Sequence, residues 1–143
     1  MKTHQNVVLE VLKYISKNIK IQKILDNSTD IEIINLMIGL IKKQYGEDAY
    51  LKLKLYYSGQ GDSGEDFFLE EVITSINDIN DAELNKLINW WDLEYLINYD
   101  WVNNEGGYGF ITLDILNNSY EIEGYVRICN ADLIQSNSYK IFE

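Results

Sequence analysis

Carboxylates, hydroxyls and glycines are concentrated in one segment of this sequence, where they could hold a cation or meet a basic partner. Residues 58–64 read SGQGDSG and lead directly into two further acidic residues. The side chains that we predict to act as oxygen ligands or partner contacts here are those of Asp62, Ser63, Glu65 and Asp66. Such groups suit a hard cation, so Asp62, Glu65 and Asp66 are candidate ligands for Ca²⁺ or Mg²⁺. The alternative is that Asp62 or Ser63 caps the following element while the remaining carboxylates are solvated.

Parts of this loop match three known motifs. In each case, the sequence lacks or opposes a feature that the motif needs for its function. An EF-hand would need Asp or Asn where Gly64 stands. The pattern G-x-G-x-x-G at residues 59–64 matches a dinucleotide-binding fingerprint, but the neighbouring carboxylates would repel a pyrophosphate. GDSG also occurs around the nucleophile of trypsin-like serine proteases, which need a general-base histidine. The only histidine, His4, is expected in a helix start or a frayed end, and the only cysteine, Cys129, is expected to be a small apolar side chain, so we predict no catalytic residue.

A second segment, residues 100–109, reads DWVNNEGGYG and is the other candidate binding surface. Its glycines and asparagines favour turns, and an aromatic residue before such a loop can contact a partner. The side chains predicted to do so are Trp101, Asn103, Asn104, Glu105 and Tyr108. The alternative for Trp101 is that it plugs the end of the hydrophobic core.

Two predicted strands bring these segments together. Residues 50–57 alternate leucine with lysine or tyrosine, which is typical of a strand with one buried and one solvated face. Residues 108–116 and 120–128 form a predicted hairpin with its turn near 117–119. If the first strand pairs antiparallel with residues 108–116, both glycine-rich loops lie at the same edge of the sheet.

Helices account for most of the remaining chain. The first is expected over about residues 5–25. A capping box formed by Thr29 and Glu32 starts the second, which Gly46 ends. Another begins near Asn80, with an apolar stripe that comprises Leu84, Leu87, Ile88, Trp91 and Tyr95. Residues 65–77 are ambiguous, and the spacing of their apolar side chains favours helix over strand.

These elements define an α+β fold in a single domain over residues 1–143. We expect a small antiparallel sheet of three or four strands, with two N-terminal helices and one or two central helices packed on one face. The N-terminal helices occupy about residues 5–45, the sheet and central helices about 49–128, and a tail about 134–143. The chain contains no proline, which argues against a hinge to a second domain.

Charge is distributed unevenly along the chain, whose net charge is -11. Residues 1–58 hold nine lysines and six acidic residues, whereas residues 59–143 hold three basic and 17 acidic residues. Such a field repels nucleic acid and anionic membranes and attracts basic proteins. No signal peptide or membrane span is predicted, which together with the single cysteine indicates a cytoplasmic protein. Solubility is the alternative explanation for the charge.

The two loops also carry a resemblance. The pattern Y-x-G-x-G-D-S-G at residues 57–64, then W-x-N-N-x-G-x-x-G at residues 101–109 and a hairpin, resembles an uncharacterised small family of bacterial and phage or plasmid proteins. The resemblance covers about residues 50–128 and implies a mobile-element setting without implying a reaction. The acidic pair Glu65 and Asp66 departs from the less acidic, strand-like continuation of that family.

The function predicted from these features is binding of a protein partner without catalysis. We expect an inhibitor of the anti-defence, antitoxin or immunity kind that covers a basic surface of a nuclease or another nucleic-acid enzyme, with Trp101, Tyr108 and Trp90 as anchors. One alternative is a divalent-metal or small-ligand domain that uses the acidic loop at residues 62–66. Another is a structural subunit of a phage or bacterial particle.

Overall fold

The computed structural model describes residues 3–16, 30–61, 64–77, 79–102, 106–117, 119–126 and 133–140. The helices are α1 (Thr3–Ile15), α2 (Asp30–Tyr45) and α3 (Asp81–Leu87), followed by two 3₁₀ turns, Trp90–Asp92 and Glu94–Leu96. The strands are β1 (Leu51–Gly59), β2 (Glu65–Thr74), β3 (Gly107–Asp114), β4 (Ser119–Val126) and β5 (Leu133–Lys140). These elements confirm the α+β class.

The described strands form one antiparallel sheet in the order β2-β1-β3-β4-β5. The predicted pairing of the 50–57 strand with the 108–116 strand is confirmed, because Lys52 lies opposite Asp114 and Gly59 lies opposite Gly107. The hairpin of β3 and β4 is also confirmed, with Ile115 and Leu116 buried in its turn instead of continuing β3. The chain therefore brings the end of β1 beside the start of β3.

The hydrophobic core lies between the helices and one face of the sheet. In β1 the alternation predicted from sequence places Leu51, Leu53, Leu55 and Tyr57 on the buried face. The inner sides of the first two helices contribute fully buried residues that include Val8, Leu12, Ile34 and Ile41. Burial of one such aliphatic side chain contributes about 1.5–3 kcal/mol to folding, so this layer fixes which sheet face remains open.

Both N-terminal helices have identifiable ends. Helix α1 ends at Ile15, where the Ser16 hydroxyl donates to the Leu12 carbonyl at 2.7 Å. The predicted continuation to residue 25 lies outside the described residues, as does Thr29 of the capping box. Helix α2 ends as predicted beside Gly46, whose positive φ of 109° lets its N–H donate to the Lys42 carbonyl at 2.8 Å.

The helix favoured for residues 65–77 is wrong, because residues 65–74 form the edge strand β2. Lys54 pairs with Glu71 and Leu55 pairs with Leu69, which leaves Glu70 as the extra residue of a β-bulge. The bulge shifts the strand's alternation by one position, so Phe68 and Val72, which are spaced as on one helix face, lie on opposite faces of the strand. The half-buried side chains on the core side are Phe67, Leu69 and Val72.

The tail predicted at residues 134–143 is also wrong over most of its length. Residues 133–140 form β5, which pairs with β4 from Ser119 opposite Lys140 to Tyr125 opposite Leu133. The described sheet thus has five strands where three or four were predicted. A paired β5 satisfies backbone groups that β4 would otherwise leave open along its edge.

The helix start at Asn80 is confirmed, and the length predicted for that helix is wrong. The Asn80 side chain accepts a hydrogen bond from the Glu83 N–H at 3.1 Å, as an N-cap does. Helix α3 ends at Leu87, and the Asn89 side chain then accepts from the Trp91 N–H at 3.2 Å to begin a 3₁₀ turn. The new turn rotates the chain, so the predicted stripe through Trp91 does not face the core.

His4 lies in the first turn of α1, one of the two places predicted for it, and it is buried there instead of frayed. Its side chain is 2% exposed, and its Nδ1 is hydrogen-bonded to the hydroxyl of Tyr95. Its ring also lies 5.5 Å from that of Tyr120, so it ties α1 to the second 3₁₀ turn and to β4.

Among the described residues, no helix is long and apolar enough to cross a bilayer.

Candidate partner-binding site

The two glycine-rich loops meet, as the strand pairing predicted. The Gly61 N–H donates to the Val102 carbonyl at 2.9 Å, and the Gly107 N–H donates to the Trp101 carbonyl at 2.8 Å. Asp62, Ser63, Asn103, Asn104 and Glu105 lie outside the described residues. Their contribution to a shared binding surface, and that of Asp62 to a metal site, stays a prediction.

Glycines at this junction are required by the close approach of backbones. Gly106 has a positive φ of 76°, and a Cβ there would overlap the backbone of Gly59. A Cβ at Gly59 would in turn overlap the carbonyl of Trp101. The loop glycines therefore serve backbone packing, which explains part of the pattern without invoking a ligand.

Trp101 packs at the end of the hydrophobic core, which was the alternative to partner contact predicted for it from the sequence. Its side chain is 4% exposed. Its ring meets those of Tyr57 at 5.2 Å and Trp90 at 5.5 Å, both edge-on, and Trp90 packs on Phe67 at 3.9 Å. In this structure neither Trp101 nor the half-buried Trp90 is an exposed anchor for a partner.

The acidic residues that begin β2 are exposed. Glu65 lies opposite Gly59, and Asp66 lies opposite Ser58. Within the described parts of the chain, no group of three or more His, Cys, Asp or Glu side chains could hold a metal ion. Their contact with a basic partner stays a prediction, as does a Ca²⁺ or Mg²⁺ site that includes Asp62.

The sheet face opposite the core carries a cluster of aromatic rings that the sequence analysis did not identify. We call this face the open face, and its rings belong to Tyr56, Phe68, Tyr108, Phe110 and Tyr125. The register places Phe68, Tyr56 and Phe110 in one row across three strands, with ring centroids 5.2 and 5.6 Å apart. Tyr108 stacks on Tyr125 at 5.1 Å, so this predicted site residue is half-buried on the open face.

Carboxylates surround the rings of the open face. Cross-strand pairing puts Asp66, Glu71, Glu121 and Glu123 on the same face as the aromatic row. Two lysines, Lys52 and Lys54, lie on this face as well, and the Lys54 Nζ sits 4.3 Å above the centre of the Phe110 ring. The open face thus combines flat apolar area with an excess of negative charge.

Two tyrosines on the core side hold β3 and β4 together beneath the open face. The hydroxyls of Tyr57 and Tyr99 lie 3.1 Å apart, and the single Tyr99 hydroxyl proton is shared between the Tyr125 carbonyl at 3.0 Å and the Tyr108 carbonyl at 3.1 Å. A Cβ at Gly124 would collide with both rings, so this glycine gives them room. The network fixes the backbone of the Tyr108–Tyr125 pair.

We predict that this network makes the protein sensitive to alkali. Burial, then the hydrogen bond and charge of Tyr99, raise the pKa of Tyr57 from its usual 10.0. The folded state therefore keeps this proton after the unfolded state has lost it, and stability falls as pH rises above about 10, by about 1.4 kcal/mol per pH unit for one group. Urea titrations between about pH 9 and pH 11 should show this slope.

The variant Tyr57→Phe is the test of that assignment, because it keeps the ring and removes the titrating proton. Its stability should fall less steeply above about pH 10 than that of the wild type. The pKa of Tyr125 is also raised, through lost solvation and the neighbouring Glu123 carboxylate. Equal slopes for Tyr57→Phe and wild type would contradict the prediction.

The 3₁₀ turns expose a second aromatic surface. Trp91 is 78% exposed and Tyr95 is 51% exposed, whereas the sequence stripe predicted both in the core. The signal that could have shown this is Asn89, whose capping side chain begins a new turn. The stacking of Trp90 on Phe67 places this turn on the core side of the sheet, away from the open face.

A comparison of the chain with family models, with curated proteins and with solved structures found no match.

Proposed function

We propose that this chain is an acidic, non-enzymatic binding protein that inhibits a nuclease or another nucleic-acid enzyme by covering its basic surface. The observation that carries the proposal is the open face, where the exposed ring of Phe68 and the half-buried rings of Tyr56 and Phe110 form a row bordered by carboxylates. Aromatic side chains dominate the binding energy of protein interfaces, and charged residues around them select the partner.

The charge of the chain indicates the kind of partner. A net charge of -11 attracts basic proteins over a distance of about 8 Å at physiological salt and speeds their association. The same charge opposes direct binding of a phosphate backbone. Enzymes that bind nucleic acid present basic surfaces, so an acidic protein with a flat aromatic face is complementary to them.

The resemblance of the two loop motifs to small phage or plasmid proteins supports an anti-defence, antitoxin-like or immunity-like role and a cytoplasmic setting. In such a role the protein would cover a nuclease or a nucleic-acid-bound complex. Asp66 lies exposed on the open face and extends its acidic surface toward the end of β1, whereas the exposed Glu65 belongs to the opposite face of β2.

The test is capture of the partner from a lysate of the protein's own host, followed by an inhibition assay. We expect one basic nucleic-acid enzyme at low salt, weaker capture as salt rises, and stoichiometric loss of its activity when the purified protein is added. The paired charge reversal Glu121→Lys and Glu123→Lys should weaken binding by about tenfold or more, because like charges would then meet across the interface.

The matched control reverses two exposed carboxylates away from the aromatic row, Glu47→Lys and Asp48→Lys. It changes the net charge by the same amount and should retain most of the affinity. Equal losses for the two double variants would show that net charge alone attracts the partner. Full inhibition by the open-face variant would contradict the proposed site.

A further inference from the structure

The open face already holds a cation. The ammonium group of Lys54 lies 4.3 Å from the centre of the Phe110 ring. The ring of Tyr56 packs between those of Phe110 and Phe68, with centroid distances of 5.6 Å and 5.2 Å, respectively. The quadrupole of an aromatic ring attracts a cation that lies above its face at this distance. The ring row of the open face can therefore bind a cation.

The carboxylates around the ring row are placed to meet a partner's cation. Glu123 pairs with Phe110 across the β3–β4 register, and Glu121 pairs with Thr112 in the next row. Lys54 lies in that same row, opposite Glu71 of β2. A cation above Phe110 thus has Glu123 and Glu121 on the adjoining strand β4, and Glu71 lies two strands away on β2.

A guanidinium group suits this arrangement better than an ammonium group. It is planar and weakly hydrated, and it stacks flat on an aromatic ring while its edge donates to a carboxylate. An ammonium group is a strongly hydrated point charge that gains less from a flat ring. A nucleic-acid base would also stack on the rings, but its phosphates would meet the carboxylates of this face.

We propose that the open face captures an arginine side chain of the basic partner, stacked on Phe110 and Tyr56 and paired with Glu121 or Glu123, and that Lys54 holds this place in the free protein. The inference rests on the proposed function and names the chemistry that the partner must present. On binding, the guanidinium displaces the Lys54 ammonium from the ring.

The experiment compares two synthetic peptides of equal length and charge, one alternating arginine with glycine and the other lysine with glycine, by titration calorimetry at physiological salt. The arginine peptide should bind about three- to tenfold tighter, the range expected for a cation–π contact at a partly exposed site. Phe110→Leu and, independently, Tyr56→Leu should abolish this preference. Trp91→Leu removes an exposed ring elsewhere and should leave it unchanged.

The variant Lys54→Met tests whether the Lys54 ammonium occupies the cation position above Phe110 in the free protein. It keeps an unbranched apolar stem and removes the charge, so the arginine peptide should bind more tightly than to wild type, and unchanged or weaker binding would overturn this role. Urea unfolding of each variant verifies that it is folded.

The remaining outcomes separate the two proposals. Equal affinities for the two peptides, insensitive to Phe110→Leu, would overturn arginine capture and leave the inhibitor proposal standing on the lysate experiment. Failure of both peptides to bind would likewise overturn arginine capture. Binding of a labelled oligothymidylate in their place would overturn both proposals, because the face would then serve nucleic acid.

Discussion

Replacement of Gly106 by alanine should lower the free energy of unfolding by about 3–5 kcal/mol, at the upper end of single-substitution effects. Two costs act together at this position. The positive φ of 76° is unfavourable for a residue with a Cβ, and that Cβ would overlap the backbone of Gly59. Since the obstacle is backbone on the adjoining strand, it cannot be relieved by a side-chain rotation. Urea denaturation at neutral pH measures the change.

Two other glycines provide matched controls for this prediction. Gly46 also has a positive φ, but nothing lies near its missing Cβ, so Gly46→Ala should cost only the conformational part, about 1–3 kcal/mol. Gly39 lies within α2 in open space, and Gly39→Ala should stabilise the protein by about 0.5–1 kcal/mol. A loss at Gly106 no larger than that at Gly46 would contradict the close approach seen here.

The glycines of the two loop motifs have a structural role in backbone packing. Gly59, Gly106 and Gly109 belong to the two patterns that carried the family resemblance, and a Cβ at each would collide with backbone. These positions were predictable as a loop junction because alternation in residues 50–57 and 108–116 fixed the strands that they join. Their structural role was not predictable, since it depends on contacts between segments about 50 residues apart in sequence.

Other elements were mispredicted where tertiary structure overrides local pattern. The bulge at Glu70 changes the period of β2, and pairing with β1 stabilises a strand that local spacing does not indicate. The strand β5 forms on the edge of β4, a context that a local scan of residues 134–143 does not contain. In both cases a neighbouring strand supplies the hydrogen bonds that decide the outcome.

The candidate site was predicted in part. Asp66 and Tyr108 were identified from sequence and lie on the open face. Tyr56 and Phe110 were missed, although both alternate with core residues in strands whose pairing was predicted correctly. Reading the outward positions of both strands together would have placed the two rings side by side. The position of Phe68 on the open face could not be predicted, because it depends on residues 65–74 forming the strand β2.

Replacement of Trp101 by alanine should destabilise the fold by about 3–5 kcal/mol, as truncation of a buried tryptophan does. The side chain is 4% exposed and meets Tyr57 and Trp90 edge-on, so its loss leaves a cavity bordered by two large rings. The Trp101 carbonyl also accepts from the Gly107 N–H, which couples the cavity to the start of β3. Urea denaturation should show an earlier midpoint.

Trp91→Ala is the matched control, because it truncates the same residue type at a position that is 78% exposed. It should change stability by no more than about 0.5 kcal/mol. The pair also decides between the two roles considered for Trp101. If Trp101 were mainly a partner anchor, its truncation would leave the urea midpoint unchanged and reduce capture of the partner. A plug in the core gives the opposite result, in which stability falls and folded Trp101→Ala protein still binds through the rings of the open face.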